Sequence, residues 1–144
     1  MRRLVLALVA LGLVGTGTDL VLLEHYEEPW QAAPLVLVVV ALAVVGAQAV
    51  MGTPRTLQLL RLVMILVIAA GVVGVVLHYR GNLEFQTDMD PTLTHWELFK
   101  KVIRAKAPPA LAPAAMAQLG LLGLIYSYRH PSLSTSARHQ ERIS

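Results

Sequence analysis

The sequence predicts an all-α integral membrane protein: an up-down four-helix bundle with a short amphipathic interfacial helix in its outer loop. Three observations support this prediction, namely four long apolar segments, a low content of charge and an uneven distribution of arginine and lysine. Hydrophobic residues make up 56% of the 144-residue chain and charged residues 15%, against roughly 25% charged in ordinary soluble domains. Lipid is the simplest environment for so much apolar surface in so short a chain.

Four segments have the length and composition of membrane spans, because a hydrocarbon core about 30 Å thick needs roughly 20 apolar residues in a helix. The segments are residues 4–23, 33–51, 57–79 and 110–128. The second contains no charged residue at all. Short connections between the first and second segments and between the second and third favour antiparallel neighbours, and therefore an up-down bundle.

The N-terminal segment combines features of a secretion signal and of a membrane helix. Arg2 and Arg3 precede an apolar run, as in a signal peptide, but no A-x-A-type cleavage site follows, and residues 15–18 are only a weak substitute. The apolar run resumes at residues 20–23, which makes the segment long enough to span. We therefore expect it to be retained as the first transmembrane helix.

Prolines and polar clusters mark the ends of the segments. Pro34 is expected in the first turn of the second helix, where a missing N–H costs least. The third helix is expected to leave the membrane at residues 78–82. Residues 1–131 would then form the transmembrane domain, and residues 132–144 a polar, disordered cytoplasmic tail. The start of the fourth helix is marked by Pro108, Pro109 and Pro113.

The basic residues predict that both termini lie in the cytoplasm. With four spans, one side receives seven arginines and a single acid, Glu141, whereas the other receives five basic and eight acidic residues. Lys and Arg in short loops determine orientation, and the short first outer loop has none. Only the basic run at residues 100–106 opposes this orientation. The expected location is a bacterial-type plasma (inner) membrane, which the chain crosses several times.

Several classes of function lack support in the sequence. The basic residues fall mostly at helix ends, so they indicate topology and not nucleic-acid binding. The chain has no cysteine, which excludes disulfides, thiolate catalysis and cysteine metal sites. It contains no P-loop, no dinucleotide-binding fingerprint and no Gly-x-Ser-x-Gly elbow. We therefore assign no catalytic residue and expect a protein that is not an enzyme.

The outer segment, residues 80–109, is the only large part outside the predicted spans. Thr94 and Glu97 have the spacing of a capping box at the start of a helix. Beyond it, apolar and charged side chains occupy opposite arcs, which predicts an amphipathic helix on the outer leaflet with its lysines towards phosphate. A groove on a partner protein fits the same face. The apolar arc holds Trp96, Leu98, Phe99, Val102 and Ile103, and the polar arc holds Glu97, Lys100, Lys101 and Arg104.

Histidines and acids on the outer side form a candidate metal site. Imidazole and carboxylate are the ligands that zinc, copper or iron takes when thiolate is absent, and His25 and His78 end the first and third spans at comparable depth. The spacing matches no ligand motif, so wet polar loops and interfacial anchors explain these residues as well. Haem b between the two histidines is a weaker alternative, because paired axial histidines usually lie deeper, and no cofactor is assigned. The candidate ligands are His25, His78, His95, Glu24 and Glu28.

Three polar side chains fall inside the predicted spans. Asp19 lies about one turn below the outer boundary, where an ionisable group suggests function by default, although Arg80 or interfacial water can satisfy it. Gln48 and Gln118 are explained by hydrogen bonds between helices. Small residues at short spacings also predict close helix contacts; the pairs are Ala43 and Ala47, Ala70 and Gly74, Gly71 and Gly74, and Gly120 and Gly123.

Two hypotheses about function follow from these residues. The first is a non-catalytic accessory or scaffolding subunit of a membrane assembly, since the chain lacks catalytic motifs but has faces suited to helix packing. The second is a metal- or small-solute-binding protein whose site lies at the outer mouth of the bundle around His25, His78 and His95. The expected partners are the lipid bilayer and other membrane subunits or further copies of the chain, and not nucleic acid.

Overall fold

The computed structural model describes residues 1–27, 29–105 and 111–132, and every regular element in these ranges is an α-helix. This confirms the all-α fold class for the described part of the chain. The predicted tail lies outside the described residues apart from Ser132. The helices are α1 Arg2–Leu22, α2 Pro29–Met51, α3 Pro54–Met89, α4 His95–Ile103 and α5 Ala112–Ser127.

Four of the helices form a closed ring in which each contacts its two neighbours. Helix α1 contacts α2 and α5, and α3 also contacts α2 and α5, so α1 and α3 face each other across a diagonal. One end of the ring, called here the Arg2 end, contains the N-terminus, the α2–α3 connection and the residues that follow α5. The opposite end, called the His25 end, contains the α1–α2 connection, the part of α3 around His78 and the start of α5.

Three helices, α1, α2 and α3, are long and apolar enough to cross a membrane. Helix α5, with 16 residues, is a shorter apolar helix. Large apolar side chains cover the outside of the ring, and Leu11, Val39 and Leu62 are all more than half exposed. Exposing such surface to water costs about 25 cal/mol per Å², and large exposed apolar areas are typical of membrane contact. The long apolar helices therefore indicate a membrane protein.

The interior of the ring is filled mainly by aliphatic side chains, among which Leu13, Leu57 and Leu60 are fully buried. The most extensive helix contact is between α3 and α5. It is close because glycines leave room for the facing backbone: a Cβ placed on Gly120 would lie 2.7 Å from the carbonyl oxygen of Met64. In lipid, such close backbone approach is a main source of helix association.

Helices α1, α2 and α3 all begin earlier than the apolar pattern predicts, and the difference is larger for α2 and α3. Helix α2 starts at Pro29, so Pro34 lies inside the helix, where it removes one backbone hydrogen bond, and not in its first turn. Helix α3 starts at Pro54, because Thr53 and Thr56 form a capping box and proline suits the first position of a helix. The first turn of α2 contains Pro29 and Gln31, and that of α3 contains Arg55 and Thr56, so neither turn belongs to an uninterrupted apolar run.

Helix α3 also continues to Met89, well beyond residues 78–82, where the sequence suggested that it leaves the membrane. A lone Gly81 does not stop it, since one glycine costs only about 1 kcal/mol relative to alanine inside a helix. Its 36 residues at about 1.5 Å each give a length of roughly 54 Å, whereas a hydrocarbon core is about 30 Å thick. The C-terminal part of α3 therefore extends past any single membrane crossing, and α4 packs against it.

Candidate functional site

The imidazole rings of His25 and His78 meet at the His25 end. Their centroids are 6.2 Å apart and their planes differ by 19°, so the rings are nearly parallel. Each residue is partly buried. The two chain segments that carry them, the end of α1 and the middle of α3, are otherwise on opposite corners of the ring. The two rings therefore lie at the same level of the helix ring, whereas their depth in a membrane stays a prediction.

The C-terminal cap of α1 positions His25. Glu24 adopts a left-handed backbone conformation with φ of 53°, which costs a residue other than glycine roughly 1 kcal/mol or more. Its N–H donates to the carbonyl oxygen of Val21 at 3.0 Å, and the N–H of His25 donates to that of Leu20 at 2.9 Å. This is the Schellman pattern. It ends the helix and leaves His25 beside His78 of α3.

A cavity of about 480 Å³ lies beside the two histidines, between α2 and α3. Most of its wall is apolar and includes Pro34 and Leu77. Polar groups enter from Gln31 and Asn82, and Trp30 contributes an indole ring. Apolar walls with a few convergent polar groups are typical of binding sites for small molecules, which usually measure about 300–1,000 Å³.

A smaller cavity of about 80 Å³ lies on the other side of the histidine pair, towards α1 and α5. Thr16, Leu20 and Met116 line it, and His25 and His78 line both cavities. The two cavities also share Pro34, Ala70 and Gly74, so they adjoin at the histidine pair, and the cavity between α2 and α3 is called here the outer cavity. A ligand in the outer cavity would meet both rings.

The other predicted metal ligands do not join this pair. His95 is the exposed first residue of α4, and the Glu24 side chain is exposed at the end of α1. Glu28 lies outside the described residues. Within the described ranges, no three His, Cys, Asp or Glu side chains form a group able to hold a metal ion. Zinc normally takes three or four protein ligands, so a metal site stays a prediction that rests on two imidazoles.

Trp30, Gln31 and Asn82 also line this cavity, which the sequence alone does not predict. The sequence pattern favours an interfacial aromatic residue at Trp30 and a helix end at residues 78–82. The available signal was weak: Trp30 and Gln31 closely follow His25 in the chain, and Asn82 lies one helical turn after His78. Only the continuation of α3 through Gly81 makes that spacing meaningful, because residues four apart share a helix face.

The three polar residues of the predicted spans have different surroundings. Gln48 is buried, with 2% of its surface exposed; it donates from Nε2 to the hydroxyl of Tyr126 at 3.2 Å and accepts at Oε1 from the hydroxyl of Thr56 at 2.6 Å. The expected hydrogen bonds between helices are therefore confirmed for Gln48. Gln118 is exposed on α5, and no such bond is found for it in the described part of the chain. Asp19 is exposed on α1.

Two arginines cap the C-terminus of α5 at the Arg2 end. Arg2 donates to the carbonyl oxygens of Tyr126, Tyr128 and Arg129 at 2.8, 3.1 and 2.9 Å. Arg61 donates to the hydroxyl of Ser127 at 3.1 Å and to its carbonyl oxygen at 2.7 Å. The last carbonyls of a helix lack partners within the helix and carry partial negative charge. These contacts join the start of α1 to the end of α5 at the Arg2 end of the ring.

His130 follows α5 and lies close to both arginines. Burial lowers the pKa of His130 below its ordinary value, and the charges of Arg2 and Arg61 lower it further. Its Nδ1 accepts a hydrogen bond from the backbone N–H of Ser132 at 3.3 Å, so the proton of the neutral ring is on Nε2. Burial and the two arginines therefore both favour the neutral form of this imidazole.

Helix α4 has the predicted capping box. The N–H of Glu97 donates to the hydroxyl of Thr94 at 3.4 Å, and the N–H of Thr94 donates to the Glu97 carboxylate at 3.3 Å. Val102 is fully buried where α4 packs against α3. Lys101 forms an ion pair of 3.8 Å with Asp90.

Three of the five residues on the apolar arc of α4 are exposed. Trp96 and Phe99 stack with their ring centroids 5.5 Å apart, and Trp96, Phe99 and Ile103 are all exposed. The ammonium group of Lys100 lies 5.9 Å from the centre of the Trp96 ring. The predicted amphipathic helix is present, and its place at a membrane surface stays a prediction.

The fold thus indicates a helical membrane protein with a two-histidine cavity at one end. No protein-family model, curated protein or solved structure matches this chain. The residues of the site are therefore the basis on which its function is inferred.

Proposed function

We propose that this chain is a multi-pass plasma-membrane protein that binds a small amphiphilic molecule at the His25 end of a four-helix transmembrane bundle. The observation that carries the proposal is the pair of imidazoles, 6.2 Å apart, beside a largely apolar cavity of about 480 Å³. This observation favours the small-solute hypothesis over the accessory hypothesis, because the structure has both a cavity of suitable size and polar side chains that could recognise a ligand.

The chemistry of the cavity suits a ring-bearing or short-chain molecule with hydrogen-bond acceptors. An imidazole in its neutral form has one donor and one acceptor, and an amide side chain such as that of Gln31 has both. Trp30 provides a flat face for ring stacking. No carboxylate hydrogen-bonds to either imidazole in the described residues, so nothing there activates a ring as a general base in the usual manner. Binding without catalysis is therefore the function that this geometry supports.

The membrane placement belongs to the same proposal. Both termini would lie in the cytoplasm, since the Arg2 end carries the excess of arginine. The cavity would then open on the outer side. Helix α4 would lie at the outer interface, with Trp96, Phe99 and Ile103 among the headgroups and acyl chains, which matches the behaviour of aromatic residues at such interfaces.

Tryptophan fluorescence tests the cavity directly. The chain has two tryptophans, and a Trp96→Phe background leaves Trp30, which lines the cavity, as the reporter. Menadione, a small quinone with two carbonyl acceptors, would serve as the probe in protein reconstituted into nanodiscs. We expect saturable quenching that weakens at least fivefold in His78→Leu, because an unmet hydrogen bond costs about 1–3 kcal/mol.

His95→Gln is the matched control, since this exposed histidine on α4 does not line the cavity. Mass analysis of molecules that co-purify with the wild-type protein, and are lost from His25→Leu and His78→Leu, would identify a native ligand. Equal quenching in all variants, together with no histidine-dependent molecule, would exclude the proposed function.

A metal titration tests the alternative that the two histidines bind a metal ion. Zn²⁺ and Cu²⁺ would be titrated into wild-type protein, the two leucine variants and His95→Gln. Stoichiometric binding that disappears in His25→Leu and His78→Leu would support a metal at the pair. Loss in His95→Gln as well would mean that the predicted third histidine completes the site.

A second candidate function is the accessory subunit of a membrane assembly, and Asp19 is the observation that favours it. Its carboxylate is exposed on α1 next to an otherwise apolar face, and Gly15, one turn away, has open space around it. An acid within a span is normally paired, so a basic or hydrogen-bonding side chain of a partner helix fits there. Mass measurement after purification in mild detergent would show such a partner, and its loss from Asp19→Asn would assign the contact.

A further inference from the structure

A groove of about 800 Å³ runs between α1 and α2 at the Arg2 end. Small side chains on both helices create it, because Ala7 and Ala10 on α1 face Gly46 and Ala49 on α2. Gly46 has no atom within 4 Å of the position that a Cβ would occupy. The wall of the groove is therefore apolar and open. If the chain spans a membrane as proposed above, this wall faces the acyl chains.

The groove ends in a cluster of positive charge. Arg2 and Arg3 line that end together with His130, Gln48 and Tyr126, and no acidic residue is among the residues described there. The three hydrogen bonds to carbonyls of the α5 terminus hold the guanidinium of Arg2 in place. Arg3 is exposed. Arg2 and Arg3 supply fixed positive charge at this end, because a guanidinium group stays protonated at any physiological pH.

We propose that this groove binds one anionic phospholipid, with its headgroup phosphate at Arg2 and Arg3 and an acyl chain along the small residues of α1 and α2. Guanidinium groups bind phosphate through paired, charge-assisted hydrogen bonds. Basic pockets between transmembrane helices are a known form of anionic-lipid site. A free phosphate would use the arginines but not the apolar wall formed by Ala7, Ala10, Gly46 and Ala49.

The lipid site is independent of the cavity at the His25 end, because the two share no lining residue. It is tested by native mass spectrometry of the full chain released from nanodiscs that contain equal amounts of phosphatidylglycerol and phosphatidylcholine. We expect one phosphatidylglycerol to be retained, with a preference of about fivefold or more per arginine contact. Glycerol 3-phosphate added at the same concentration should not displace it.

Two variants separate the headgroup contact from the chain contact. Arg3→Gln should reduce the preference for phosphatidylglycerol about fivefold, whereas Arg55→Gln, an exposed arginine at the same end that does not line the groove, should leave it unchanged. Gly46→Leu fills open space and should lower retention of both lipids without weakening the fold, which a thermal unfolding curve would check.

Equal retention of the two lipids by the wild-type protein would overturn the proposal. So would an effect of Arg55→Gln as large as that of Arg3→Gln, since this would indicate general surface charge. Full retention by a folded Gly46→Leu would show that no acyl chain occupies the groove. If Gly46→Leu does not fold, the comparison of Arg3→Gln with Arg55→Gln still decides the question.

Discussion

Gly71 of α3 lies directly against the backbone of Ala117 in α5. A Cβ placed on Gly71 would come within 2.6 Å of the backbone nitrogen of Ala117 and equally close to the carbonyl oxygen of Pro113. Backbone atoms cannot move aside as the tip of a flexible side chain can. The two helices are therefore held at a separation that only glycine at position 71 permits.

Replacing Gly71 with alanine should force α3 and α5 apart. We expect a loss of about 1–3 kcal/mol in the free energy of unfolding, the usual cost of overpacking a tight contact, measured by reversible unfolding in mixed micelles of mild detergent and dodecyl sulfate. Gly15→Ala is the control, because nothing lies within 4 Å of its Cβ position. It should be neutral or gain up to about 1 kcal/mol from helix propensity. Equal effects of the two substitutions would contradict the contact.

Glu24 holds the left-handed position of the α1 cap, with φ of 53°. Glycine takes this conformation without steric cost, whereas a β-branched residue is strongly disfavoured there. Glu24→Gly should therefore be at least as stable as the wild type, and Glu24→Val should lose about 1–2 kcal/mol. The same unfolding assay would rank the variants, with Glu27→Val as the matched control outside the cap. A Glu24→Val protein as stable as the wild type would argue against the cap.

Gln48 and Tyr126 form a buried hydrogen bond across the ring, from α2 to α5. Tyr126→Phe removes the acceptor and should lower the free energy of unfolding by about 0.6 kcal/mol, the average for hydrogen bonds between transmembrane helices. A double-mutant cycle with Gln48→Leu would isolate the interaction. A coupling energy near zero would show that the bond from Nε2 to Tyr126 adds nothing to stability beyond the bond that Thr56 donates to Oε1 of Gln48.

The junction of α3 and α4 should loosen in acid. Hydrogen bonds from Thr92 hold the pKa of Asp90 below its ordinary value, and the nearby Lys101 lowers it further. Hydrogen bonds from Thr94 do the same for the pKa of Glu97. A carboxylate whose pKa is lower in the folded state stabilises the fold above its unfolded pKa, and this stabilisation is lost as the pH falls through the folded pKa.

The change should therefore appear below about pH 4, near the ordinary pKa of these carboxyl groups. Trp96 fluorescence in a Trp30→Phe background would report it, because Trp96 stacks on Phe99 only while α4 is folded. Thr94→Ala should move the transition to higher pH by raising the pKa of Glu97. A transition at the same pH in the wild type and Thr94→Ala would mean that the capping box does not control it.

Features set by neighbouring residues were predictable from the sequence. The capping box of Thr94 and Glu97 depends on four consecutive positions, so its pattern alone identified the start of α4. The all-α class and the long apolar helices followed from composition and length. These are local properties, and no knowledge of distant contacts is needed to infer them.

Features set by the relation between helices were predictable only in part. The comparable depth of His25 and His78 suggested that they meet, but the separation of 6.2 Å depends on the bend at Glu24, which is a rare conformation for glutamate. Asn82 was missed because helix α3 was expected to end near Gly81. Packing of α4 supports the continuation of α3, and such support from a later element does not appear in the apolar pattern of α3 itself.

The unbroken length of α3 links two parts of the molecule that the chain separates. His78 and the surface on which Val102 docks belong to one stiff rod, with no loop between them to absorb motion. A displacement of α4, whether by the bilayer surface or by a bound protein, would therefore be transmitted through α3 to the imidazole of His78.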